Sequence, residues 1–217
     1  MTDKATIRVF IADDHAIVRE GLKQILAESP DIVVSGEAEN GLDAIKLFRK
    51  SKCHVMLLDI SMPDRNGIEV LKQVKKEHAE IAVLMLSMHR EDQYAIRSLK
   101  AGAAGYLTKQ SAPRELVTAI RQVAAGQKYV SAALAQELAA SVGENHETPL
   151  HETLSDREYQ TLIMIASGKP VGAIAQELSL SVKTVSEYRA RVLAKMKLKN
   201  SAELTHYAIK NQLIESW

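Results

Sequence analysis

Residues 55–58 (VMLL) and 81–86 (IAVLML) are apolar from end to end, with no polar residue at alternate positions. A strand with one wet face alternates, so a run of this kind needs cover on both faces. The surrounding pattern supplies that cover. Short apolar runs at 7–12 (IRVFIA), 32–35 (IVVS), 54–58, 81–86 and 104–107 (AGYL) read as strands. Between and after them, 16–28, 41–49, 67–77, 91–101 and 113–125 carry helical stripes, such as Ile17, Leu22, Ile25 and Leu26 on one face. Five strand–helix units predict an α/β doubly wound domain built on a five-stranded parallel sheet.

The pattern changes after Gly126. Residues 131–141 (SAALAQELAAS) read as one Ala-rich helix, and 143–153 (GENHETPLHET) read as a polar linker with the boundary near 145. Four helices are predicted beyond it, at 156–167, 171–178, 182–196 and 201–213, with no convincing strand. The expected organisation is a domain over 1–126, a helix and linker over 127–153, and a small all-α domain over 154–217.

A formal net charge of +1 points the whole chain toward no particular partner. Its distribution says more: 183–199 holds Lys183, Arg189, Arg191, Lys195, Lys197 and Lys199 against the single acid Glu187. The lone cysteine, Cys53, excludes an internal disulfide and a multi-cysteine zinc cluster; before an apolar strand it reads as structural. No apolar run approaches the roughly 18 residues of a membrane span, and MTDKATIRVF lacks the apolar core of a signal peptide. A cytoplasmic protein without membrane contact is expected.

In an open parallel sheet, ligands gather at the carboxyl ends of the strands. Strand one ends in Asp13-Asp14, strand three in Asp59 and strand four in Ser87, and Lys109 follows strand five. Each alone has a plainer reading: a helix cap, a turn residue, a surface lysine. Together they converge on one rim, where three carboxylates repel unless a cation joins them. Magnesium fits best, because it takes few protein carboxylates and binds phosphate oxygens. A carboxylate beside it can attack phosphorus to form an aspartyl phosphate, with Ser87 and Lys109 placed to hold the phosphate oxygens.

Residues 7–125 resemble the flavodoxin-like receiver domain of two-component response regulators, through FIADDHAIVREGL (10–22), VMLLDISMPDRNGIEVL (55–71), VLMLSMH (83–89) and AGAAGYLTK (101–109). The resemblance implies Asp59 as phosphoacceptor, fed by a histidine kinase. It implies Mg2+ bound by Asp14 and Asp59, with Asp13 acting through water and the Ser61 carbonyl completing the site. Ser87 becomes the switch hydroxyl, Lys109 the phosphate-sensing cation and Tyr106 the switch aromatic, which follows Ser87 inward. Such a domain is no enzyme beyond slow self-phosphorylation and self-dephosphorylation. Two departures stand out. Gln110 replaces the proline that often follows the lysine, so a trans bond is expected there, with Pro113 opening the next helix and Ser111 as its cap. Met88 is bulkier than the residue usual beside the switch serine.

In VGAIAQELSLSVKTVSEYRARVLAKM (171–196), Ile174, Leu178, Val185, Val192 and Met196 face inward and Ser181 is a natural N-cap. Lys183, Ser186, Glu187 and Ala190 then face the opposite side, flanked by Arg189, Arg191 and Lys195. That pattern suits a helix in the DNA major groove, short residues at base edges and cations on phosphates; it also suits a plain protein-binding bundle. Residues 154–213 further resemble the LuxR-type helix-turn-helix of NarL/FixJ-type regulators, through LSDREYQTLIMIASGK (154–169), IAQELSLSVKTVSEYRARVLAKMKLKN (174–200) and AEL (202–204). This resemblance implies that Lys183, Thr184, Ser186, Glu187 and Ala190 face double-stranded DNA and that Leu204, Tyr207 and Ala208 help pair two copies as a homodimer. Pro170, at a position usually polar, is tolerable at a helix start. The implied function is phosphorylation-controlled DNA binding and transcription. Rivals are a phosphate-independent DNA-binding regulator, a protein-binding adaptor and an Asp-nucleophile phosphohydrolase. Such a hydrolase wants a second acid two residues after its nucleophile, where Ser61 stands.

Overall fold

A computed structural model describes residues 6–88, 91–110, 113–132, 134–136 and 149–214, with the backbone alone at 91–93. The chain divides into two compact units, Met1–Ala139 and Ala140–Trp217.

The first unit alternates strand and helix: β1 (Ile7–Ala12), α1 (Ala16–Ala27), β2 (Ile32–Ala38), α2 (Gly41–Ser51), β3 (Val55–Asp59), α3 (Gly67–Glu77), β4 (Ala82–Ser87), α4 (Glu91–Lys100), β5 (Gly105–Thr108) and α5 (Pro113–Ala124). All pairings are parallel, in the order β2-β1-β3-β4-β5. β3 and β4, apolar up to their terminal Asp59 and Ser87, lie inside the sheet, as their composition requires. On one face Val9, Ile11, Leu57, Leu84 and Leu107 meet Leu22 and Leu26 of α1 and Leu116, Ile120 and Val123 of α5. Each such side chain contributes about 1.5–3 kcal/mol by leaving water. The alternate residues Phe10, Met56, Leu58, Met85 and Tyr106 are equally buried, and α2, α3 and α4 pack against the sheet as well.

β2 runs three residues beyond the expected 32–35, because it is an edge strand whose polar Ser35 and Glu37 need no cover. Its register against β1 shifts between Val9 and Phe10, where Phe10 pairs with Gly36. A Cβ on Gly36 would stand 2.9 Å from the Phe10 ring, so that close approach needs glycine. Cys53 is buried, and burial pushes its thiol pKa up. Among the described residues no peptide bond is cis, and Pro113 opens α5. Ser111 and most of the helix expected over 131–141 lie outside the described residues.

The second unit has a 3-10 turn (Leu150–Thr153), then α6 (Asp156–Ala166), α7 (Val171–Glu177), α8 (Val182–Lys195) and α9 (Ser201–Lys210). Caps set their starts. Ser155 and Glu158 form a reciprocal capping box, and Ser181 Oγ accepts from the Thr184 amide at 3.0 Å. Pro170 precedes α7 without disturbing it. Helix α9 stops at Lys210, short of the expected 213, because Gln212 turns left-handed (φ 56°) and the Leu213 amide folds back to Ala208 O at 2.8 Å. Ile174, Leu178, Val185, Val192 and Met196 are buried, as their spacing predicted.

Candidate functional site

Strand register builds the acidic rim. Ala12 pairs with Leu58, so Asp13 and Asp59 stand one step further along neighbouring strands. Asp59 pairs with Leu86 and Ser87 with Thr108, which brings Ser87 and Lys109 to the same end of the sheet. The Lys109 amide donates to Ser87 O at 2.7 Å, fixing the lysine as it leaves β5. Its Nζ then lies 2.7 Å from Asp13 Oδ2 and 3.0 Å from Asp59 Oδ2. Lys109, Asp13, Asp59 and Ser87 are all buried.

The chain packs closely around Asp59. Asn66 caps α3 by accepting from the Ile68 amide at 2.8 Å. Gly67 then passes so near that a Cβ would stand 2.0 Å from the Asp59 carbonyl oxygen. Ser61 lies half-buried in this loop. Asp14 is partly exposed, and its Oδ1 meets His15 Nδ1 at 2.7 Å.

The electrostatics follow. Burial above all pushes the Asp59 carboxyl up to about 6; the Lys109 charge opposes the rise, and Asp13 and Asp14 add to it. Burial works against the charge on Lys109, but Asp59 and Asp13 together hold its ammonium above the usual lysine range. The lysine contacts are at ion-pair distance but off the hydrogen-bond axis, so Asp13 Oδ2 and Asp59 Oδ2 lack a directed hydrogen bond. One donor atom from each of Asp13, Asp14, His15 and Asp59 lies within 4.8 Å of the others. Oxygen-rich donors with unsatisfied lone pairs fit a hard divalent cation. His15 escaped the sequence reading, because beside two carboxylates it looks like an ordinary surface residue; its adjacency to them was the available signal.

Tyr106 is wholly buried. Leu204 and Ala208 are also wholly buried, on the helix that packs against α6, and half-buried Tyr207 places its hydroxyl 3.0 Å from His151 Nδ1. Leu204 and Ala208 therefore lie in the unit's own interior, while α9 exposes Ala202, His206, Ile209 and Lys210.

On α8, Lys183, Ser186, Glu187, Ala190 and Arg191 are exposed along the side away from Val185 and Val192. Thr184 is half-exposed beside its cap. The flanking cations divide. Arg191 stacks over Tyr188, 5.4 Å from the ring centre, and reaches Glu187 at 3.4 Å. Arg189 turns inward and donates to Ser201 Oγ at 2.9 Å. Lys195 meets the buried Glu158 carboxylate at 2.6 Å, tying α8 to the start of α6.

Residues 9–121 match the model of the response regulator receiver domain, and 152–208 match that of bacterial regulatory proteins of the luxR family. The chain is similar to the response regulator UvrY of Escherichia coli, 41% identical over 209 residues, covering 95% of each chain. Among solved structures it resembles RcsB from Salmonella enterica serovar Typhimurium bound to promoter rprA in the presence of phosphomimetic BeF3-, at 29% identity and a TM-score of 0.65, covering 93% of this chain and 98% of that one. It also resembles the structure of two RcsB dimers bound to two parallel DNAs, at 27% identity and a TM-score of 0.60, covering 97% and 100%.

Proposed function

Because the chain belongs to the response regulators that join a receiver domain to a LuxR-type DNA-binding domain, we propose that it takes a phosphoryl group on Asp59 and that this modification controls its grip on promoter DNA. The observation that carries the reading is the meeting of Asp13, Asp59 and Lys109 at one strand end, with Lys109 Nζ 2.7 Å and 3.0 Å from the two carboxylates.

Asp59 is the nucleophile. One carboxylate oxygen bonds to phosphorus as the bond from phosphorus to the phosphohistidine nitrogen of a partner kinase breaks, and the departing imidazole takes up a proton. Asp13, Asp14 and Asp59, with the Ser61 carbonyl, would hold Mg2+, which when bound supplies positive charge to the transferring oxygens. Lys109 is free to leave the carboxylates and pair with the new phosphate, which brings a charge of about −1.5 to −2. Ser87, at the same rim, offers its hydroxyl to the remaining oxygen. The second unit presents Lys183, Thr184, Ser186, Glu187, Ala190 and Arg191 to the major groove, and two copies bind together. Since Leu204 and Ala208 are interior, pairing through α9 would use its exposed side at His206 and Ile209.

The test exposes the full chain to acetyl phosphate with and without Mg2+, and measures mass and affinity for promoter duplex. Wild type should gain one phosphoryl group and bind DNA more tightly. Asp59→Asn should do neither. A mutant that responds like wild type would refute the proposal.

A further inference from the structure

The residue at the mouth of the acidic rim carries a nitrogen donor that the phosphoryl chemistry does not require. His15 occupies the N-cap position of α1 but makes no side-chain capping bond. Serine, threonine, aspartate or asparagine would stabilise the helix better there. Its imidazole turns to the carboxylates instead, with Nδ1 2.7 Å from Asp14 Oδ1 and 3.5 Å from Asp13 Oδ1. The side chain remains 61% exposed, so it can reorient without disturbing the core. Donor atoms of Asp13, Asp14, His15 and Asp59 share a space in which each lies within 4.8 Å of the others. The Oδ2 atoms of the two fully buried acids, Asp13 and Asp59, lack a directed hydrogen bond.

We propose that His15 determines the metal preference of this site, adding a nitrogen ligand that favours Zn2+ and Ni2+ over what carboxylates alone would give. The inference rests on the reading of the rim as a divalent-cation site. Magnesium gains little from imidazole, since it prefers an all-oxygen shell. Zinc and nickel gain much, and both stand above magnesium's usual rivals in affinity for nitrogen donors. Three carboxylates and one imidazole also make up the four ligands that zinc commonly takes. The site would therefore accept Mg2+ through its acids and bind a borderline ion more tightly through the same acids plus His15, which places the receiver within reach of those ions as competitors.

The experiment titrates metal-stripped full-length chains with MgCl2, ZnCl2 and NiCl2 in a calorimeter, and follows the His15 ring nitrogens by NMR. The variants are His15→Ala, His15→Gln and Asp59→Asn. The His15→Gln side chain keeps a polar group at this position but offers no imidazole. Both His15 variants should lose about tenfold or more in Zn2+ and Ni2+ affinity, the scale of losing a donor or its support, while Mg2+ affinity stays within about twofold. The His15 nitrogens should shift on adding zinc to wild type. If the ratio of zinc to magnesium affinity is unchanged in His15→Ala, whether both fall or neither does, the inference is overturned. If Asp59→Asn matches wild type toward Mg2+, the reading of the rim itself fails, and the two failures are thereby told apart.

Discussion

Asp13 and Asp59 end neighbouring parallel strands one step past the Ala12–Leu58 pair, and a single ammonium, that of Lys109, touches an Oδ2 of each at 2.7 and 3.0 Å. Two buried carboxylates with one lysine leave a surplus negative charge, and Asp59 bears its cost. Burial, aided by Asp13 and Asp14, pushes its carboxyl up to about 6, against the pull of Lys109. The unfolded chain holds that proton only below about 3.9. Between these values the folded state binds more protons, so stability falls as pH rises from about 4 to about 6 and stays lower above. In EDTA, Asp59→Asn should therefore be more stable than wild type at pH 7, by an amount on the order of 2–3 kcal/mol. Below pH 4 the gain should vanish. Urea unfolding at a series of pH values measures both. Adding Mg2+ should narrow the difference at pH 7 by stabilising wild type alone.

Lys109 is predicted to act in the opposite direction. Lys109→Met removes the cation and leaves Asp13 and Asp59 facing each other in the interior. Breaking a buried pair by removing one partner costs about 3–5 kcal/mol. The loss should appear in urea melts in EDTA at pH 7 and shrink at pH 5, where Asp59 takes up its proton. A loss independent of pH would mean that packing, not charge, is what Lys109 provides.

Gly67 tests whether the rim is held by the backbone. An added Cβ would stand 2.0 Å from the Asp59 carbonyl oxygen and 2.9 Å from its carbon. Backbone cannot yield there as a flexible side chain would, so Gly67→Ala should destabilise the first unit by about 1–3 kcal/mol or more. It should also slow phosphorylation by acetyl phosphate. A thermal melt and a mass time course read the two effects.

Much of this was legible in the sequence, because two periods dictate it. The strands and helices of the first unit follow from apolar spacing, and their parallel pairing alone delivers Asp13, Asp59, Ser87 and Lys109 to one end. What escaped prediction was set by non-local partners. Helical spacing put Arg189 and Lys195 beside the exposed face of α8, but Arg189 hydrogen-bonds Ser201 and Lys195 pairs with Glu158, which no local pattern announces. Leu204 and Ala208 were expected between two copies, yet their burial against α6 follows from the same apolar stripe that makes α9 a helix. The extra length of β2 depended on its edge position, which only topology assigns.

Glu158 gives the second unit a pH limit of its own. Burial works against its charge, but Lys195 and the Ser155 cap more than offset this and hold its carboxyl below the usual glutamate range. A depressed folded pKa contributes stability that is present above the unfolded value of about 4.3 and is lost as pH falls through the folded one. Unfolding of 149–217 followed between pH 6 and pH 2 should show this loss in wild type and not in Glu158→Gln. A parallel decline in both would assign acid sensitivity elsewhere.

The division among the cations of α8 makes a sharper prediction about DNA. Lys183 is exposed on the outward side, whereas Lys195 is held at 2.6 Å by a buried glutamate. A cation that neutralises a phosphate contributes roughly −0.9 to the slope of log affinity against log salt. Lys183→Ala should therefore make the slope shallower by about one unit and weaken binding most at low salt. Lys195→Ala should leave the slope nearly unchanged and instead destabilise the unit by about 1–2 kcal/mol, since the buried Glu158 carboxylate loses its cation and keeps only the Ser155 cap. Fluorescence anisotropy on a promoter duplex across salt concentrations, paired with denaturant melts, separates the roles. If Lys195→Ala flattened the salt slope while Lys183→Ala did not, the ion pair with Glu158 would have to open on DNA, and the outward side of α8 would not be the face that meets the phosphates.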